Sequence, residues 1–336
     1  MTTFVQETLA SGGKISPLII ANEASNSTGL MNPSVFVDKD GDILVNLRHV
    51  NYSLYHSEGN QLFTSRWGPL AYLHPENDQR LATTNYICKL NKDLEIEKST
   101  IVDTSLLDVE PLWEFVGLED ARLVYWDDKY YLIGVRRDTT PNGQGRMELS
   151  EIELDKENWT AKEVSRLRIP APLNGDSYCE KNWVPVLDMP FHLVKWTAPT
   201  ELVRTYPENP PRCEQLFVRE GVSAPADQRG GSQVFCWGSY RVSITHEVYL
   251  FNNYLGRKDG VYRHRFCVWD DQWNLVGISP EPITFLDARV EFCAGAAIRG
   301  ENLLVTFGFQ DNCAYILDVP KKLVDKYVLE ALSNVQ

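Results

Sequence analysis

The stretch "VGLEDARLVYWDDKYYLIGVRR", residues 116–137, decides how the chain reads. Glu119, Asp120 and Arg122 precede an apolar run, a Trp-Asp-Asp-Lys turn follows, and a second apolar run ends on Arg136 and Arg137. Two apolar runs split by a turn of this kind form a β-hairpin. Because the second strand returns to where the first began, the hairpin carries charges of both signs to one end.

The same outline recurs in "NPSVFVDKDGDILVNLR" from Asn32, "KNWVPVLDMPFHLVKW" from Lys181, "GGSQVFCWGSYRVSITHEV" from Gly230 and "FCAGAAIRGENLLVTFGFQD" from Phe292. Each opens on polar or small residues, enters an apolar strand, turns and returns. "VYRHRFCVWDDQWNLVG" adds strands to the fourth unit. The five units predict an all-β chain, a five-bladed β-propeller built as one domain over residues 1–336, with uneven spacing that sets it apart from short regular repeats. Two packed β-sandwiches also fit the strand pattern, but they give no reason for the repeated polar openings. Helical periodicity is confined to "PKKLVDKYVLEALSNVQ", where Leu323, Val324, Tyr327, Val328 and Leu332 form one stripe and predict a helix over about 320–334.

The 336 residues carry a net charge of -13, which excludes the basic footprint of a nucleic-acid binder. The N-terminus lacks the basic start and apolar core of a secretory signal, and no run reaches the length of a membrane span, so a cytoplasmic protein without membrane partners is expected. Seven scattered cysteines without a CxxC pair read as reduced thiols, and the histidines show no metal-ligand spacing. "DKDGD", residues 38–42, lacks the distal Glu of a calcium loop and reads as a tight turn. Homo-oligomeric assembly is left open.

In a propeller the innermost strands line a channel and their starts ring one mouth. Asn32 and Ser34 with Arg48, then Glu119, Asp120 and Arg122, then Lys181 and Asn182, then Ser232, and the Cys293-Ala294-Gly295 stretch are thereby brought together. In isolation, "EDAR" would read as a surface ion pair. Strand alternation sends Glu119 and Asp120 in opposite directions, so at most one of them faces the channel as the acid, and Arg122 shares the face of Asp120. Arg136, Arg137, Lys181 and His246 together make a phosphate site. Trp183, Trp237, Tyr240 and Tyr262 lie where a ring can stack on a sugar, which makes a small sugar or oligosaccharide the expected partner.

These residues resemble glycoside hydrolase family 130, the β-mannoside phosphorylases and β-mannosidases, and the related glycosyltransferase family 108. "GLEDARLVYWDDKYYLIGV" is similar to the family's Gly-x-Glu-Asp-Pro-Arg signature, with Ala121 in place of proline. "EKNWVPV", "RGGSQV", "THEV" and "FGFQD" are similar to the third-blade, fourth-blade, phosphate-histidine and closing segments. Thr245 and Glu247 flank His246 where the family has Tyr and Gly, and Trp183 replaces a smaller apolar residue. The resemblance runs from "MNPSVF" to "TFGFQD" and implies a five-bladed propeller, Asp120 as catalytic acid, His246 as a phosphate ligand and Asp311 as a ligand of the sugar hydroxyls. It implies an inverting β-mannoside phosphorylase or mannosyltransferase, with inorganic phosphate as co-substrate and no other cofactor. Phosphorolysis needs only the acid, because phosphate is itself the nucleophile, whereas inverting hydrolysis adds a base carboxylate such as Glu180 or Glu247. A non-catalytic glycan-binding propeller is the remaining alternative.

Overall fold

Runs of β-branched and aromatic residues punctuated by Asp, Asn and Gly become antiparallel hairpins along the chain. The computed structural model describes residues 2–21, 24, 29–54, 63–64, 71–73, 80–170, 179–252 and 258–334. The chain begins with α1 (Phe4–Ala10), closed by a Thr3–Gln6 capping box, and β1 (Lys14–Pro17). Next come β2 (Leu30–Val37) and β3 (Ile43–Val50). The short β4 (Ser53–Leu54), β5 (Phe63–Thr64) and β6 (Ala71–Leu73) pair among themselves. With β7 (Leu81–Leu90) and β8 (Ile96–Asp103) the first run is complete in the order β2-β3-β7-β8.

After β9 (Phe115–Val116), which pairs with β7, the second run is β10 (Glu119–Trp126), β11 (Lys129–Arg136), β12 (Arg146–Asp155) and β13 (Thr160–Arg168). A short parallel pairing of β13 with β8 fuses the first two runs into one sheet. The third run comprises β14 (Val184–Pro185), β15 (His192–Trp196), β16 (Thr200–Tyr206) and β17 (Arg212–Arg219). The fourth comprises β18 (Phe235–Trp237), β19 (Tyr240–Asn252), β20 (Lys258–Trp269) and β21 (Leu275–Ile278). The last is β22 (Glu291–Arg299), β23 (Asn302–Phe309) and β24 (Cys313–Val319), and it takes β1 as its fourth strand, with Lys14 opposite Asp318.

Turn chemistry explains the reversals. Asp127 and Asp128 both adopt positive φ, 47° and 62°, which suits a two-residue turn matched to strand twist. In the 38–42 turn, Asp38 Oδ1 accepts from the backbone N–H groups of Asp40 and Asp42, both at 2.9 Å, and Lys156 covers the acidic cluster. Those contacts are the work of a turn.

The first strands of the runs meet in the interior, where Gln233 joins them. Its Nε2 donates to Ser34 Oγ, Val35 O and Leu123 O, each at 3.0 Å, and its Oε1 accepts from Ala296 N at 3.0 Å. One fully buried amide thus ties β2, β10 and β22 to the entry of β18. The helix α2 (Lys321–Ser333) starts one residue inside Pro320, which serves as its N-cap, and buries Leu323, Val324, Tyr327, Val328 and Ala331. Tyr327 meets Phe4 and Phe266, joining both helices to the fourth run. Among the described residues no helix is long and apolar enough to cross a membrane.

Candidate active site

The site forms where strand regularity breaks. In the β10–β11 pairing Glu119 stands opposite Val135, yet Arg122 stands opposite Ile133, so one residue is bulged out. A matching shift lies between Met31 and Ser34 in β2. The residues at these points, Asn32 and Asp120, take left-handed backbone conformations with φ of 46° and 50°, as do Asn182 at 60° and Asp311 at 50°. Asn and Asp tolerate this region better than other side-chain-bearing residues. The bulge also cancels simple alternation. Asp120 Oδ1 lies 2.7 Å from Arg48 Nη1, while Glu119 Oε2 lies 3.7 Å from Arg48 Nη2. Both acids therefore reach one guanidinium, correcting the expectation that they face opposite ways.

Asp120 Oδ1 also accepts from Asn32 Nδ2 at 2.7 Å. Arg48 is held from behind by Thr83 Oγ1 and the Tyr52 hydroxyl. Burial alone would raise the Asp120 carboxyl, but Arg48, Asn32, Arg122 and Lys181 outweigh it and bring its pKa down to about 2. Asp311 goes the other way. Burial and the charge of Asp120 push it up to about 6 against Arg48 and Lys181. The site thus separates two carboxyls into one ionised and one able to hold a proton near neutrality.

Burial, together with Asp311 and Asp120, raises the Tyr262 phenol to about 12. The His246 ring stacks on Tyr262 at 5.7 Å and meets Phe292 edge-on at 4.9 Å. Burial, His264 and the nearby cations hold His246 well below the usual imidazole range, so it is neutral at pH 7 and acts as a hydrogen-bonding group. Lys181 is exposed and makes no hydrogen bond or ion pair with a described residue, yet its charge is felt by Asp120, Asp311 and His246. Asn32 Oδ1, Asn182 Oδ1 and His246 Nδ1 are buried without a hydrogen-bond partner among the described residues. Orphaned buried groups of this kind suit a ligand rich in hydroxyls.

No family model matches the chain, and no curated protein matches it by sequence. Solved structures do match. A β-1,2-mannobiose phosphorylase from Listeria innocua, in complex with β-1,2-mannobiose, gives a TM-score of 0.53 at 13% identity over 90% of this chain and 93% of that one. A mannose phosphorylase from Leishmania mexicana in complex with a phosphate ion gives 0.50 at 12% identity over 96% and 93%. A structure from the family 130 mannoside phosphorylases, reported for hydrolases that target β-1,2 mannosidic linkages in Candida mannan, gives 0.54 at 13% identity over 88% and 85%. The chain has the family 130 fold. At these identities the likeness is one of fold.

Within that fold the sequence candidates separate into three groups. Asn32, Arg48, Glu119, Asp120, Lys181, His246, Tyr262 and Asp311 are linked by contact or by electrostatic interaction, and Asn182 follows Lys181 directly. Arg137 joins them through Glu119, with its Nε 3.4 Å from Oε1.

A second group holds the framework. Arg122 Nη1 donates to the Asp120 carbonyl at 2.7 Å, and its Nε and Nη2 donate to Gly231 O, so it fixes main chain and does not touch the carboxylate. Ser34 and Ser232 are fully buried, Ser34 between Gln233 and Leu123 N and Ser232 against Ile244 N, which corrects their reading as sugar ligands.

The third group lies elsewhere. Arg136 is buried among Glu148 at 2.7 Å, Asp138 at 3.3 Å and Glu163 at 3.9 Å, so its guanidinium is neutralised inside the second run and is not offered to phosphate. Trp183 is 1% exposed, with its indole donating to Glu180 and packed in the core between the second and third runs, so it has no face for a sugar. Trp237 donates to Asp325 of α2, and Tyr240 packs on the core beside that helix.

Sequence reading missed Gln233 and Gly308. A Cβ at Gly308 would stand 2.2 Å from Asn32 Oδ1, so the glycine gives Asn32 its room beside Asp120. Among the described residues no cluster of His, Cys, Asp or Glu suits a metal ion.

Proposed function

We propose that the chain is a five-bladed β-propeller forming one catalytic domain, and that it acts as an inverting β-mannoside phosphorylase or as a mannosyltransferase running the same chemistry from mannose 1-phosphate. Lys181 carries this reading. An exposed ammonium with no partner among the described residues stands in the field of Asp120, Asp311 and neutral His246, the arrangement an incoming phosphate requires. Arg137 adds a second cation at the edge of the site. A phosphate oxygen attacks the anomeric carbon opposite the leaving group, the C1–O bond breaks, and the leaving oxygen takes a proton, so a β-linkage gives an α-1-phosphate. Asp120 is the acid in this direction, passing to the leaving oxygen a proton that the raised Asp311 carboxyl supplies, and, ionised in the empty site, it is the base for the acceptor hydroxyl in the other. Inorganic phosphate is the co-substrate, and no other cofactor enters. The free cysteines support a cytoplasmic setting.

Asp311 favours one alternative, since a second carboxyl in the same site is what a hydrolase needs. The earlier base candidates do not serve. Glu247 is bound by Arg265, Gln228 and Tyr249, and Glu180 accepts from Trp183. Incubation with β-1,2-mannobiose, with and without phosphate, separates the readings. Phosphate-dependent mannose 1-phosphate supports phosphorolysis, whereas free mannose at equal rates in both conditions identifies a hydrolase. Binding without turnover identifies a glycan-binding protein. Replacing Lys181 with Ala is expected to raise the KM for phosphate by about 10- to 100-fold and that for the mannoside far less, as loss of one charge-assisted contact predicts. An unchanged phosphate KM removes Lys181 from the anion site.

The raised Asp311 carboxyl sets a pH dependence. Its proton is present below about pH 6 and lost above it. If that proton supplies the acid step, phosphorolysis slows as pH rises through about 6, and the synthetic direction keeps its rate. The Asp311→Asn variant is expected to lose this limb from its profile of kcat/KM against pH. A limb unmoved in the variant assigns it to another group.

A further inference from the structure

One face of the first run turns from apolar to polar as it nears the site. Across β3 and β7, Arg48 stands opposite Asn85 and Asn46 opposite Ile87, so all four share that face with Leu44. Leu44 and Ile87 belong to one core cluster with Leu118, Ala121 and Leu123 at the start of the second run. Asn46 and Asn85 are buried in the same contact, 0% and 8% exposed. Asn46 Nδ2 donates to Asn85 Oδ1 and to Ala121 O, both at 3.0 Å, and Asn85 Nδ2 donates to Leu118 O at 2.9 Å. The two amides thus grip the main chain on either side of Glu119 and Asp120. Burying an amide in an apolar interface is unfavourable unless it bonds, and Asn46 Oδ1 has no partner among the described residues. Packing alone gives no reason for two amides there.

Asp120 supplies a reason. Its left-handed φ of 50° is a strained conformation, and strain persists only where the surroundings over-determine the backbone. Arg122 ties the Asp120 carbonyl, while Asn85 and Asn46 tie those of Leu118 and Ala121. We infer that Asn46 and Asn85 are positioning residues, which hold the bulge that aims the Asp120 carboxylate at Arg48 and Asn32 and act through main chain, without touching the substrate. The inference rests on the reading of Asp120 as the acid–base group.

A double-variant cycle, read as turnover of β-1,2-mannobiose in phosphate, tests it. Asn46→Ala is expected to lower kcat by about 10- to 100-fold, the scale of a small misplacement of a catalytic group, with the KM for mannobiose within about threefold of wild type. In the Asp120→Asn background, where no proton transfer at this position is left to misalign, the same change is expected to alter kcat by less than about threefold. A residue that served stability alone would lower the folded fraction and cost the same factor in both backgrounds. Asn85→Ala, which frees Leu118 O, is carried through the same cycle and decides the matter if Asn46→Ala does not fold. Equal factors in the two backgrounds, a KM that rises in step with the fall in kcat, or a wild-type kcat in either single variant overturns the inference and leaves the mannoside reading standing. A wild-type chain that turns over no mannobiose overturns that reading and the inference together.

Discussion

Asp120→Asn is expected to lower turnover by about 10²- to 10⁴-fold, the usual worth of general acid–base catalysis, while sugar affinity stays within a few-fold of wild type. The amide retains the oxygen that accepts from Asn32 and Arg48, both at 2.7 Å, so the pocket keeps its shape. What it loses is the ability to exchange a proton. Glu119→Gln is expected to be milder, because Glu119 sits farther from Arg48 and also faces Arg137. Steady-state rates in both directions, with mannoside affinity measured separately, decide the matter. If Glu119→Gln abolishes turnover and Asp120→Asn does not, the acid has been misassigned within the pair.

Arg48→Met is expected to cost about 3–5 kcal/mol of folding stability as well as activity, because it strands two acids beside a buried site that has lost its cation. Arg48 is 5% exposed in its side chain and Asp120 is 18% exposed, so water replaces little of the missing interaction. The effect carries a pH signature. In the wild type, the depressed carboxyl of Asp120 contributes stability above its ordinary pKa of 3.8, and this is lost as pH falls through about 2. Without Arg48 that contribution disappears, so the deficit is largest near neutral pH and shrinks in acid. Urea unfolding at pH 7 and near pH 2 measures it, and the Arg48→Met/Asp120→Asn double variant should recover part of the loss at pH 7. A single variant as stable as wild type at both values would show that the ion pair does not support the fold.

The hairpins were legible because period-two alternation and Asp-rich turns are local properties, and the segments from Asn32, Glu119, Lys181, Gly230 and Phe292 fall where antiparallel runs form. The facing of the site was less legible. Whether Asp120 alternates with Glu119 depends on a bulge that exists only once β10 has paired with β11, and one sequence does not state a register. Trp183 misled for a related reason: beside polar residues in sequence, it turns into the core at the entry to β14. Gln233 stands next to Ser232, but nothing in "RGGSQV" says which of the two carries the framework. The answer lies in three partners from other runs. Nor did local pattern reveal that β1 belongs to the last sheet.

That pairing of β1 with β24 sets a timing problem during synthesis. Lys14 is made about 300 residues before its partner Asp318, so at about 5–20 residues per second the first strand waits on the order of 15–60 s for its place. Until then β1 lacks the strand that pairs with it, and its hydrogen-bonding edge is vacant. A nascent chain at this stage offers that edge to any other strand in reach. Two neighbouring ribosomes on one message would bring two such chains together, and β1 of one could fill the place of β1 in the other. Slowing translation near the 3′ end lengthens that wait and should therefore raise exchanged dimers, as should crowding the polysome.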